Sequence, residues 1–174
     1  MSPRILVAGI GNIFFGDDAF GVEAARRLSL EAWSEGVRVV DFGIRGLDLA
    51  YALLEPYELA ILVDATQQGG VPGTLYVIEP EAAGPQPGEP AACTVEMHGM
   101  NPWKVLQMAA ALGGPLPRVL VVGCEPTPLV DPDDMQMGLS APVQNALDET
   151  VRIVQSLVAN HQSQIPAAPA VTGH

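Results

Sequence analysis

The chain has 174 residues, 48% of them hydrophobic, with 20 acidic against 8 basic side chains and a formal net charge of −12. This length carries one domain with its own core, and the apolar share excludes a disordered polymer. The surplus of acids repels phosphate backbones, which argues against nucleic acid and favours cations or a basic protein face as partners.

Residues 4–9 read as a buried strand, short, apolar and closed by glycine. The apolar run Ile5 to Ile10 is too short for a signal segment, and Asp17 and Asp18 follow it instead of a small-residue cleavage site. No stretch approaches the roughly 18 apolar residues of a membrane span. The expectation is a cytoplasmic protein with no membrane association.

A loop over residues 10–17 precedes a helix predicted for 20–35, with Phe20, Ala24, Ala25, Leu28 and Ala32 at helical spacing. Asp17 or Asp18 is expected to cap its first turn, and Gly36 to end it. Strand two is predicted over 37–41, a short helix over 46–54 before Pro56, and strand three over 59–64. Strand four is expected over 74–78, followed by a proline-rich surface loop over 79–92. Pro102 suits the first turn of a helix over 101–112. Strand five is expected over 118–123. Ser140 is expected to cap a last helix reaching about Asn160, with Val143, Leu147, Val151, Val154 and Val158 on one face. Residues 1–160 thus read as one domain and 161–174 as a frayed tail.

Strands alternating with helices, and apolar on both faces, predict an α/β three-layer sandwich around a mostly parallel five-stranded sheet. Ligands of such sheets gather at the carboxyl ends of the strands. Three segments carry chemistry there: Gly9–Gly21 with Asp18, the end of strand three with Asp64, and Glu96–Met100 with His98. Two carboxylates and an imidazole form an O,O,N set suited to nickel or zinc, and three ligands leave positions open. Taken singly, each residue has a plainer role, as a cap, a turn residue or a surface histidine. Their shared placement at one edge is what singles them out.

A competing reading takes Gly9-x-Gly11 and Asp41 as a dinucleotide-binding fingerprint. Phe14 stands where its third glycine belongs, and two acids occupy the helix start that should welcome phosphate. No His-Glu-x-x-His helix and no Gly-x-Ser-x-Gly elbow occurs in the sequence. Cys93 and Cys124 lie far apart and lack a nucleophile setting, so both are expected to be structural or incidental.

The run Gly9-Ile10-Gly11-Asn12, then Gly16-Asp17-Asp18 and Gly21, resembles the signature of the [NiFe]-hydrogenase maturation endopeptidases. The resemblance continues through Asp41-Phe42-Gly43-Ile44-Arg45-Gly46, Val63-Asp64, His98-Gly99 and Val122-Gly123-Cys124-Glu125-Pro126. It implies a protease that removes the C-terminal extension of a hydrogenase large-subunit precursor already loaded with nickel; a monomer is the separate expectation. It further implies nickel supplied by that precursor and held by Asp18, Asp64 and His98, with Asp41 as a candidate base. A non-catalytic nickel chaperone using the same ligands is the alternative.

Overall fold

Two apolar stripes on every central strand dictate the architecture. In the computed structural model, which describes residues 4–81, 100–128 and 137–164, five strands form one sheet. They are β1 (Ile5–Ile10), β2 (Val37–Gly43), β3 (Leu59–Ala65), β4 (Leu75–Ile78) and β5 (Arg118–Cys124), in the order β2-β1-β3-β5-β4. The pairs β1–β2, β1–β3 and β3–β5 are parallel, and β4 joins β5 antiparallel. The helices are α1 (Phe20–Ser29), α2 (Gly46–Ala52), α3 (Pro102–Ala111) and α4 (Ala141–Ser163).

Alternation along the strands sorts side chains between two cores. Leu6, Ala8, Ile10, Ala60, Leu62 and Val121 pack with α2 and α3. Ile5, Val7, Leu59, Ile61, Val63 and Val122 pack with α1 and α4 on the opposite face. This is the expected three-layer sandwich. All seven residues of β3 but the last are buried, as befits a strand covered on both faces.

Several local expectations are corrected. Helix α1 stops at Ser29 rather than near residue 35. Leu30 points into solvent, and the Trp33 indole N–H turns back to donate to the Leu28 carbonyl at 2.7 Å. Neither Asp17 nor Asp18 caps the helix with its side chain. Ser140 occupies the N-cap position of α4 but makes no side-chain cap bond, because its hydroxyl is engaged by Asp17. Helix α4 continues through Ser163, so residues 161–163 are helical instead of frayed, while 165–174 lie outside the described residues. Strand β2 runs two residues past Asp41. The expected proline-rich loop falls mostly among residues outside those described.

From β1 the sheet grows one way to β2 and the other way to β3. The carboxyl ends of β1 and β3 therefore flank the point where the winding reverses, and a crevice for ligands belongs there. Asp18 follows β1, and Asp64 is the penultimate residue of β3.

Candidate functional site

The loop after β1 is shaped to return its acids to the sheet edge. The Asn12 carboxamide accepts from the Phe14 N–H at 3.0 Å, turning the chain just past β1. The Asn12 N–H donates to the Asp18 carboxylate at 3.1 Å and to the Asp18 carbonyl at 3.2 Å, closing the loop. Gly16–Ala19 then form a 3₁₀ turn leading into α1. Gly21, at the start of α1, lets the helix press onto the sheet. A Cβ there would stand 2.1 Å from the Ile10 carbonyl oxygen and 2.2 Å from that of Val63. Close helix–strand packing, which a dinucleotide fingerprint draws from its third glycine, comes here from Gly21 instead. Phe14, at the fingerprint's third position, is half exposed.

Four acids sit near this edge, and their hydrogen bonds divide them. Asp17 is 6% exposed and saturated. It accepts from the Ser140 N–H at 2.7 Å, the Ser140 hydroxyl at 2.8 Å and the Thr127 N–H at 2.9 Å. Glu125 is 3% exposed and equally saturated, by the N–H groups of Gln68 (2.8 Å) and Gly69 (3.0 Å) and the Tyr76 hydroxyl (3.0 Å). Asp64 is also 3% exposed, yet its Oδ1 has no hydrogen-bond partner among the described residues. Asp18 is half-buried.

Electrostatics set Asp18 and Asp64 apart. Burial pushes the Asp64 carboxyl well above the usual carboxylate range, and the neighbouring charge of Asp18 pushes the same way. The Ala65 N–H opposes both. Asp18 is raised by its own burial, with the Asn12 N–H opposing. Two carboxylates that repel each other, one with a bare buried oxygen, are a costly arrangement unless something positive faces them. A divalent cation would relieve both the repulsion and the unmet acceptor, so the donor set fits a metal.

The expected trio is therefore placed in part. Asp18 and Asp64 come together, whereas His98 lies outside the described residues. Among the described residues no three His, Cys, Asp or Glu side chains form a metal-holding group. Asp41 does not end its strand. It pairs with Gly9, immediately before the irregularity that sets Ile10 opposite Gly43, and its side chain is exposed. Bulges of this kind re-aim side chains at sheet ends. Arg45 donates to the Asp41 carbonyl at 2.7 Å, leaving the carboxylate open. Cys124 is buried, and its thiol is pushed up to about 12 by burial and by the charges of Asp17 and Glu125, which disfavours the thiolate that a nucleophile needs. Cys93 is outside the described residues.

Sequence reasoning missed Asp17 and Glu125 as structural acceptors. A Glu directly after a buried strand and a second Asp in the loop were the available signals, but their partners lie as far as 123 residues away in the chain.

This fold, with an acid pair at the sheet's switch point, defines an α/β protein whose candidate chemistry rests on carboxylates. The sequence pattern of the hydrogenase maturation protease family (HycI) matches residues 22–157. Hydrogenase expression/formation protein HupD of Rhizobium leguminosarum bv. viciae is 33% identical over 160 residues, covering 89% of this chain and 76% of that protein. A crystal structure of a hydrogenase 2 maturation peptidase from Thaumarchaeota archaeon SCGC_AB-539-E09 superposes with a TM-score of 0.65 at 28% identity, covering 90% and 98% of the two chains. The hydrogenase maturating endopeptidase HybD from E. coli shares the fold, with a TM-score of 0.72 at 24% identity over 91% and 93%. The chain belongs to the hydrogenase maturation protease family.

Proposed function

We propose that this protease removes the C-terminal extension of a nickel-loaded [NiFe]-hydrogenase large-subunit precursor, reading the nickel through Asp18, Asp64 and His98. The observation that carries the reading is the bare, buried Asp64 oxygen beside Asp18 at the switch point of the sheet. Family membership supports the substrate class. In this reading nickel is cargo of the substrate. When bound, it offers a Lewis acid near the peptide bond and marks the precursor as loaded.

The protein's own groups divide the remaining work. Asp18, in the 3₁₀ turn after β1, and Asp64, near the end of β3, offer hard oxygen donors, and His98 offers the nitrogen donor. Asp41, open to water at the bulge of β2, is the proposed general base. It takes a proton from water as the water oxygen adds to the scissile carbonyl carbon. The carbon–nitrogen bond then breaks, and the departing amine receives the proton that Asp41 took, which restores the carboxylate. Among the described residues no helix is long and apolar enough to cross a membrane. We place the reaction in the cytoplasm, with the protease acting as a monomer.

The test mixes the protein with a nickel-loaded precursor and follows the mass of the large subunit. Loss of a C-terminal fragment, abolished by Asp64→Asn, supports the reading. Transfer of nickel to an apo-precursor with its length unchanged would establish the chaperone alternative instead.

A further inference from the structure

The two saturated acids, Asp17 and Glu125, meet on one short segment. Strand β5 ends at Cys124, and the next three residues are Glu125, Pro126 and Thr127. The Glu125 carboxylate holds the N–H groups of Gln68 and Gly69, in the loop that leaves β3 just after Asp64. Its main chain holds the same loop again: the Glu125 N–H donates to the Thr74 carbonyl, and the Glu125 carbonyl accepts from Gly73, both at 2.8 Å. Two residues on, the Thr127 N–H donates to Asp17, the immediate neighbour of Asp18. The Thr127 hydroxyl donates to Ser140 Oγ at 2.9 Å, and Ser140 donates to Asp17 twice.

We propose that Asp17 and Glu125 are positioning residues, which with Thr127 form a splint that locks the β1 loop and the β3 loop to the end of β5 and so fixes the spacing of Asp18 and Asp64. The proposal rests on the reading above in one respect, namely that Asp18 and Asp64 act as a pair. Like charges in a partly buried pair repel, so the β1 loop and the end of β3 that carry them tend to spread. A brace from a third strand opposes that spreading. Neither splint acid forms an ion pair among the described residues, and each carboxylate faces only donors.

That last feature gives a sharp test. In Asp17→Asn and Glu125→Gln, either orientation of the amide sets an NH2 group against a backbone N–H, at Ser140 or Thr127 in the first and at Gly69 or Gln68 in the second. Misplacing a reacting group by about 1 Å can cost up to about 100-fold in rate, so kcat on a nickel-loaded precursor should fall at least about tenfold. KM should stay within about twofold, since the precursor's own contacts remain. Leu147→Ala, a core truncation on α4 that removes no hydrogen bond of the splint, serves as the control for lost stability and should keep kcat at a temperature where it is folded.

A second readout needs no precursor. Exchange of the Asn12 amide, which donates to Asp18, should quicken about tenfold in Asp17→Asn, and that of the Ala65 amide likewise in Glu125→Gln, while amides within α4 exchange as in the wild type. If an amide variant does not fold, Ser140→Ala deletes the two splint bonds of the Ser140 hydroxyl and Tyr76→Phe deletes one, and both should show the same changes at a few-fold size. Wild-type kcat in folded splint variants, or losses no larger than in Leu147→Ala at equal melting temperature, would overturn the proposal. So would unchanged exchange at Asn12 and Ala65. A wild-type protein that leaves the loaded precursor intact would instead sink the protease reading, and the exchange data would still decide the splint.

Discussion

Replacing Asp64 by Asn should make the protein more stable and inactive at once. The wild-type side chain is buried with Oδ1 unpartnered, and it faces the charge of Asp18. An unmet buried polar group costs about 1–3 kcal/mol, and a charge costs more. Asn keeps the oxygen that accepts from Ala65, removes the charge, and can turn its NH2 toward Asp18. A gain of about 1–3 kcal/mol corresponds to a rise in melting temperature of roughly 2–12 °C for a chain of this length. The pH dependence follows from the direction of the shift. A carboxyl raised in the folded state holds its proton where the unfolded chain has lost it, so stability falls as pH climbs from the ordinary carboxylate value of 3.8 through the raised one. The advantage of Asp64→Asn should therefore be fully developed above the raised value and should shrink toward zero as pH falls to about 4. Circular dichroism melts of both proteins between pH 4 and 8 measure it (about four pH steps suffice to trace the linkage). A variant that melts below the wild type at neutral pH, or a gap that ignores pH, would refute the picture of an uncompensated buried carboxylate.

Further outcomes follow from the same structure. Gly21→Ala should cost on the order of 3 kcal/mol or prevent folding, because the new methyl meets two backbone carbonyls that have little room to retreat; a chemical denaturation curve near wild type would count against the close helix–sheet approach. Cys124→Ala should leave cleavage unchanged, and native protein should resist alkylation at Cys124, since the buried thiol does not ionise near neutral pH; rapid labelling of that residue in the folded state would contradict this. His98→Ala should abolish precursor processing with stability changed by no more than about 0.5 kcal/mol, whereas Val63→Ala, at a fully buried position of β3, should cost about 1–3 kcal/mol and keep processing. Wild-type processing by His98→Ala would remove the histidine from the ligand set.

Much of this protein is written in local sequence. The hydrophobic runs over β1, β3 and β5, each bounded by glycine or a polar residue, specify buried parallel strands because only a strand covered on both faces needs apolar side chains at every position. The alternation of those strands with helical periodicities leads to the sandwich, and the carboxyl-end rule then points to Asp18 and Asp64. Helix ends were less legible. Past the stop of α1 at Ser29, Trp33 folds back onto the Leu28 carbonyl, a contact that periodicity does not encode.

The roles of adjacent acids were decided by tertiary structure alone. Asp17 and Asp18 are identical in type and neighbours in the chain, so local propensity treats them alike. The fold gives Asp17 three donors from Thr127 and Ser140, more than a hundred residues away, and leaves Asp18 facing Asp64. Hydrogen bonds of that sequence separation form only once the sheet has brought β1, β3 and β5 side by side. What sequence supplies is the chemistry of a carboxylate; whether it braces the scaffold or presents a bare oxygen depends on which donors the completed fold sets against it.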